Sequence, residues 1–211
     1  MKNIVTICLA ISTIIIAQDT TASVSQEPQL PGWGIYVGGA FGGGTSVDDL
    51  PDGHSLESRL IAPNIGFSKG MFLGGVPLIV GAGIHPRGYT YKMAHPMTGE
   101  DVESEAQVNM VDVWASIPYP IGDRAILQAG LLFGTCLGGT TESLEFTPTG
   151  VNKSEEDITD VEGELDYGIM LGGGIAITEQ IGINFGYYVG LAEFDEMVKF
   201  NGLIFNLGYN F

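Results

Sequence analysis

After residue 31 the chain alternates with period two, and the alternation is of an unusual kind. Large apolar residues hold one parity. Glycine, alanine, asparagine and serine hold the other. Residues 32–43 set Trp33, Ile35, Val37 and Phe41 against Gly34, Tyr36, Gly38, Ala40 and Gly42. The same contrast returns over 59–70, 77–91, 108–118, 124–137, 164–178, 181–191 and 200–211. In the last, Leu203, Phe205, Leu207, Tyr209 and Phe211 oppose Gly202, Ile204, Asn206, Gly208 and Asn210. A water-soluble sandwich puts its large apolar face inside and a charged face outside. Here the second face is too small and too sparsely charged to meet water. It suits the narrow lumen of a closed barrel of about eight strands, with the large face toward lipid. Segments of about ten residues match a tilted transmembrane strand.

Composition agrees with this reading. The chain has 32 Gly and 10 Pro in 211 residues, is 45% hydrophobic and carries a formal charge of −17. Its mean hydropathy is +0.23. Disorder driven by charge is excluded by that hydropathy, and collagen by the lack of a three-residue glycine period. The acidity argues against nucleic acid as a partner.

Residues 1–17 read as a signal peptide. Lys2 is its basic start and 4–16 its short apolar core, with cleavage after Ala17 or Ala22. Cleavage removes Cys8 and leaves Cys136 alone, so no intramolecular disulfide forms. Residues 18–31 are polar and unpatterned, a periplasmic linker. The barrel domain is expected over 32–211.

The connections alternate long and short, as in outer-membrane barrels with short periplasmic turns and long external loops. The stretches near 69–76, 119–123 and 179–180 are the short ones. The long ones lie between the first two strands and over 93–107, 138–163 and 192–199. These four expected loops hold 18 of the 25 acids. The expectation is an all-β, eight-stranded antiparallel up-and-down transmembrane β-barrel in the outer membrane of a Gram-negative-type bacterium. Within the strand of 77–91, Pro86 predicts a bulge, after which Tyr89 and Tyr91 change phase.

Val111–Pro118 (VDVWASIP) followed by Asp123–Leu137 (DRAILQAGLLFGTCL) resembles PorT-like outer-membrane β-barrel proteins. So do Asp166–Ile175 (DYGIMLGGGI), the strand with Tyr187, Tyr188, Gly190 and Leu191, and His85–Tyr91 (HPRGYTY). The closing Asn206–Phe211 (NLGYNF) resembles the family's last strand. A terminal Phe on such a strand is also the mark read by the outer-membrane assembly machinery, so Phe211 is the expected contact with that partner. The resemblance implies fold and location, and its name suggests an accessory role in secretion.

Sites are few. Gly42–Gly44 and Gly172–Gly174 lack the Lys-Ser/Thr of a phosphate loop. His54, His85 and His95 are too scattered for a strong metal site. His85, with Ser68 and Asp112 across the lumen, could form a hydrolase set, and a structural histidine is the simpler reading. Asp112, Gln128, Asp166, Asn184 and Asn206 are expected in the lumen, with Arg87, Arg124 or Lys69 near its ends. They would form a polar plug that satisfies itself. The densest acidic cluster, Glu155, Glu156, Asp157, Asp160 and Glu162, is the candidate for divalent cations, though it lacks the EF-hand order. Trp33, Tyr36, Tyr89, Tyr91, Trp114, Tyr119, Tyr167, Tyr209 and Phe211 are the expected aromatic girdle, with Trp114 assigned instead to the lumen.

The expected role is structural or surface-interacting, without catalysis or cofactor. The expected contacts are outer-membrane lipid and lipopolysaccharide. The alternatives are a barrel enzyme acting on lipid or lipopolysaccharide and an accessory component of a secretion system.

Overall fold

A computed structural model describes residues 32–195 and 197–211. The expected signal peptide and linker lie outside the described residues. Eleven strands form: β1 (Trp33–Ser46), β2 (Ser55–Glu57), β3 (Arg59–Leu73), β4 (Val76–Ile84), β5 (Arg87–Ala94), β6 (Asp101–Ile121), β7 (Ala125–Thr147), β8 (Gly150–Ile158), β9 (Leu165–Ala176), β10 (Ile181–Gly190) and β11 (Val198–Asn210). All pairings between them are antiparallel.

The ring has eight positions. It runs β1, β3, β4 with β5, β6, β7, β9, β10 and β11, and closes where β11 pairs with β1. Each predicted segment falls on one ring strand. β4 and β5 are successive parts of one strand, both paired to β6. β2 and β8 lie outside the ring, against β5 and β7.

Side-chain direction follows the predicted parity. Trp33, Ile35, Val37 and Phe41 on β1 are each about half exposed, and so are Leu127, Leu131 and Phe133 on β7. The same holds for Ile183 and Phe185 on β10 and for Leu203, Phe205 and Leu207 on β11. The exposed apolar band encircles the barrel and far exceeds the few hundred Å² that a soluble monomer tolerates. A bilayer is the solvent that stabilises it, and a closed ring leaves no unpaired strand edge inside it. The opposite parity carries glycine because neighbouring strands and inner side chains crowd it. A Cβ at Gly134 would collide with the Asp112 carboxylate.

The short end is built from tight turns. Gly74 and Gly75 (φ +58° and +85°) and Gly122 (φ +63°) supply left-handed backbone that other residues resist.

Two expectations need correcting. Pro86 makes no bulge. Ile84 pairs with Val111 and Arg87 with Val108, so the register on β6 runs through unchanged, and His85 N–H still donates to Met110 O. Proline merely removes one ladder donor. Parity is therefore kept, with His85 and Arg87 both buried. What changes beyond Pro86 is where large residues point: Tyr89 packs inward against the core.

Second, much of the long-loop end is strand. β5 and β6 continue as a hairpin to Ala94 and Asp101, and β7 with β8 forms another that turns between Thr147 and Gly150. Out of the membrane these strands alternate charged and small residues, as in Asp101, Glu103 and Glu105 against Val102, Ser104 and Ala106. That pattern lacks the large-apolar parity that marked the other strands.

Candidate functional site

The barrel interior has layers. At the long-loop end, inward residues of the ring strands and two connections fill the mouth with an apolar plug. Val108, Met110, Leu132, Cys136, Tyr188, Val198 and Phe200 come from strands. Val161 and Phe194 come from the connections after β8 and β10, and Phe194 packs on Phe200 with ring centroids 5.1 Å apart. This plug was not foreseen. Its signal was the inward parity of Met110, Val198 and Phe200, large residues where the strands otherwise place small ones.

Below it lies a polar layer made by β1, β5, β6, β9, β10 and the link between β4 and β5. Arg87 Nη2 donates to both oxygens of Asp112 at 3.1 Å, and Nη1 to the His85 carbonyl at 3.1 Å. Its Nε stands 2.6 Å from Asp166 Oδ2, an ion pair without good hydrogen-bond alignment. Its guanidinium also lies 5.2 Å from the Tyr188 ring centroid. His85 Nδ1 is 2.8 Å from Asp112 Oδ2, and its Nε2 is 2.9 Å from the Tyr36 hydroxyl. A consistent assignment has Nδ1–H donating to the carboxylate and Nε2 accepting from Tyr36. Trp114 Nε1 donates to the same hydroxyl at 3.4 Å.

The lumen assignment of Asp112 and Asp166 thus holds, and both are fully buried. Arg87 joins them in mid-lumen and not at an end. Ser116 Oγ donates to Gln128 Oε1 at 3.2 Å, and Asn184 pairs across the ladder with Asn206. Lys69 lies 4.7 Å over the Trp33 ring, outside this network. The plug does not satisfy itself at every atom. Both amide atoms of Asn64 and Asn206 Oδ1 are buried without a hydrogen-bond partner among the described residues.

The hydrolase set does not assemble. The histidine–aspartate pair is present, but His85 Nε2 faces the Tyr36 hydroxyl, and Ser68 is not bonded to either partner. Both imidazole nitrogens are engaged.

The outer rim holds the acids. Each of its four cations is tied to one or more of them. Arg59 is 2.5 Å from Glu105, Lys92 3.1 Å from Asp101, Lys153 2.8 Å from Glu142 and Lys199 2.9 Å from Glu193. The hydrogen bond from Lys153 holds the Glu142 carboxyl below its ordinary value, and the one to Asp101 pushes Lys92 up. The two hairpins pack together through buried His95, whose Nε2 is 3.2 Å from the Gly150 carbonyl and whose ring meets Phe146 edge-on. Ser104 Oγ donates to the Glu142 carbonyl at 2.6 Å.

The five cation candidates do not converge. Glu155, Glu156 and Asp157 are consecutive on β8 and so point to alternate faces, while Asp160 and Glu162 lie in the following connection. Among the described residues no group of three or more His, Cys, Asp or Glu is placed to hold a metal ion.

Of the girdle residues, Trp33, Tyr119, Tyr167, Tyr209 and Phe211 are exposed on the outside. Tyr36, Tyr89 and Trp114 turn inward, and Tyr91 is hydrogen-bonded to His54.

No protein-family model matches the chain, and no curated protein does. Solved structures do. Neisserial surface protein A (NspA) is 12% identical, with a TM-score of 0.51 over 87% of this chain and 99% of that one. Ail, the attachment invasion locus protein of Yersinia pestis, is 16% identical over 86% and 99%, with a TM-score of 0.49. The outer membrane protein OprG from Pseudomonas aeruginosa is 11% identical over 87% and 97%, with a TM-score of 0.44. At these identities the likeness is one of fold, and it rests on the first. The fold is that of an eight-stranded outer-membrane barrel, in keeping with the apolar belt.

Proposed function

We propose that this chain is an outer-membrane protein of a Gram-negative-type bacterium that works without catalysis, by presenting an acidic surface to cationic partners outside the cell. The observation that carries the reading is the charge count at the rim. Seventeen of the 22 acids among the described residues lie in the four long connections and hairpins there. The four cations beside them are already paired. The surplus is negative and projects on ordered hairpins, which fix it in space.

Such a surface attracts basic protein segments, polyamines or divalent cations over a Debye length of about 8 Å at physiological salt. Direct contact with anionic lipopolysaccharide needs bridging cations. The PorT-like resemblance of Val111–Pro118 and its neighbours favours a role beside a secretion system, and the rim is the surface such a partner would meet. Phe211, at the end of the closing strand, is proposed as the contact for the assembly machinery.

Titration of polylysine onto the protein in neutral-lipid nanodiscs tests this. Binding should be saturable, weaken steeply with salt, and fall when Glu155, Glu156 and Asp157 are changed to Gln, Gln and Asn. Binding indifferent to salt and to those changes contradicts it.

A further inference from the structure

Below the polar layer the lumen is hollow. A cavity of about 230 Å³ runs from Tyr36, His85 and Trp114 toward Gly182, Asn210 and Arg124 at the short-turn end. Among the described residues the apolar plug fills the other end, so the cavity faces the short-turn, periplasmic side. Its walls are mostly apolar, with Ile79, Ile126, Leu132, Met170 and Ile204 turned inward. Hydroxyl and amide groups of Ser68, Gln128, Asn184 and Asn206 interrupt them.

Charge makes this cavity unlike the rest of the chain. The protein carries 25 acids, yet among the described residues no Asp or Glu lines the cavity. Arg124 is the one Arg or Lys there, exposed at the mouth and in no ion pair with the described residues. An unpaired guanidinium over an acid-free apolar chamber is complementary to a carboxylate on a short alkyl body. An apolar cavity of about 150 Å³ accepts benzene, so this one has room for roughly ten non-hydrogen atoms.

We propose that the periplasmic half of the lumen is a binding site for a small amphiphilic monocarboxylate, with its alkyl body among the inward aliphatic residues and its carboxylate on Arg124. The site is independent of the acidic rim. It lies at the opposite end and uses different residues.

Trp114 lines the cavity and Trp33 faces outward, and they are the two tryptophans of the chain. In a Trp33→Phe background, fluorescence of full-length protein in nanodiscs reports on the cavity alone. The probe is 8-bromooctanoate, which carries its own quencher. Saturable quenching of Trp114 is expected. Arg124→Ala should weaken it roughly three- to tenfold, the loss of one charge-assisted contact near solvent. Neutral 8-bromo-octanol should bind more weakly than the carboxylate and be indifferent to that change.

Gly208→Leu gives a second arm. A Cβ there meets nothing closer than 3.4 Å, and Gly208 lines the cavity, so the larger side chain is introduced at its wall. This variant, once its heat-modifiable gel shift shows that it is folded, should abolish quenching. The proposal is overturned if quenching in the parent rises without saturating. Saturable quenching that survives in folded Gly208→Leu also overturns it. So does octanol binding as tightly as octanoate.

Discussion

Arg87 sits between two carboxylates that the barrel wall removes from water. Asp112 and Asp166 come from strands on either side of β7, and the guanidinium is the charge they share. Removing it leaves both acids buried beside each other. Breaking a buried ion pair by deleting one partner costs about 3–5 kcal/mol. Arg87→Ala should therefore lower the urea midpoint of the folded barrel in lipid, scored by gel mobility. Adding Asp112→Asn and Asp166→Asn should recover part of that loss. No recovery would mean that Arg87 acts through packing alone.

On the outer surface the sign of the environment reverses. Leu131 faces outward between Leu127 and Phe133 in the apolar belt of β7, and an arginine there should cost about 2–4 kcal/mol. Glu156→Lys at the rim should change stability by no more than about 0.5 kcal/mol. The same urea series compares the two. Equal effects would remove the bilayer from the explanation of the apolar belt.

The elements divide into a ring and the hairpins that continue it. β8 pairs with β7 alone, so the tip of this hairpin is not part of the closure. Replacing residues 143–154 with a short glycine turn should leave the heat-modifiable shift intact. Loss of the shift would make the hairpin part of the barrel's stability.

The ion pairs of these hairpins give a pH dependence with a defined sign. Glu142 has a lowered pKa because Lys153 donates to it. Its contribution is present above the ordinary value of 4.5 and is lost as pH falls through the lower folded value. Lys92 is raised by Asp101, so its contribution is present below the ordinary 10.5 and is lost as pH rises through the higher folded value. Both groups are partly exposed, so each effect is small and screened by salt. Amide exchange in β7–β8, corrected for the intrinsic pH dependence, should show reduced protection below that acidic limit and unchanged protection near neutrality.

The ring strands were legible in the sequence because membrane and lumen impose opposite demands on alternate residues. The outer hairpins were not, because both their faces meet water and the parity of size disappears. The partners in the polar layer were half legible. Asp112, Asp166 and Arg87 stand out as charges within apolar runs, and alternation assigns them to the lumen. That Tyr36, and not Ser68, meets His85 depends on how far around the ring each strand sits. One strand's alternation carries no such information.

At the scale of the molecule, charge, size and compartment coincide. The formal charge of −17 belongs mainly to one end. The middle is an uncharged belt around a single buried cluster in which Arg87 is shared by Asp112 and Asp166. The far end is a glycine-turned rim with an acid-free chamber above it. Each zone has the residues its surroundings stabilise: lipid takes the large apolar side chains, the narrow lumen the small ones, and water the acids.

The central claim is that residues 32–211 close into a barrel within the outer membrane. Electrophoresis of isolated outer membranes in dodecyl sulfate, unheated against boiled, tests it most directly. The account predicts that the protein is in that fraction and that the unheated form migrates apart from the boiled one, as a detergent-resistant closed barrel does. Recovery in the soluble fraction, or one unchanged band in both lanes, would contradict it.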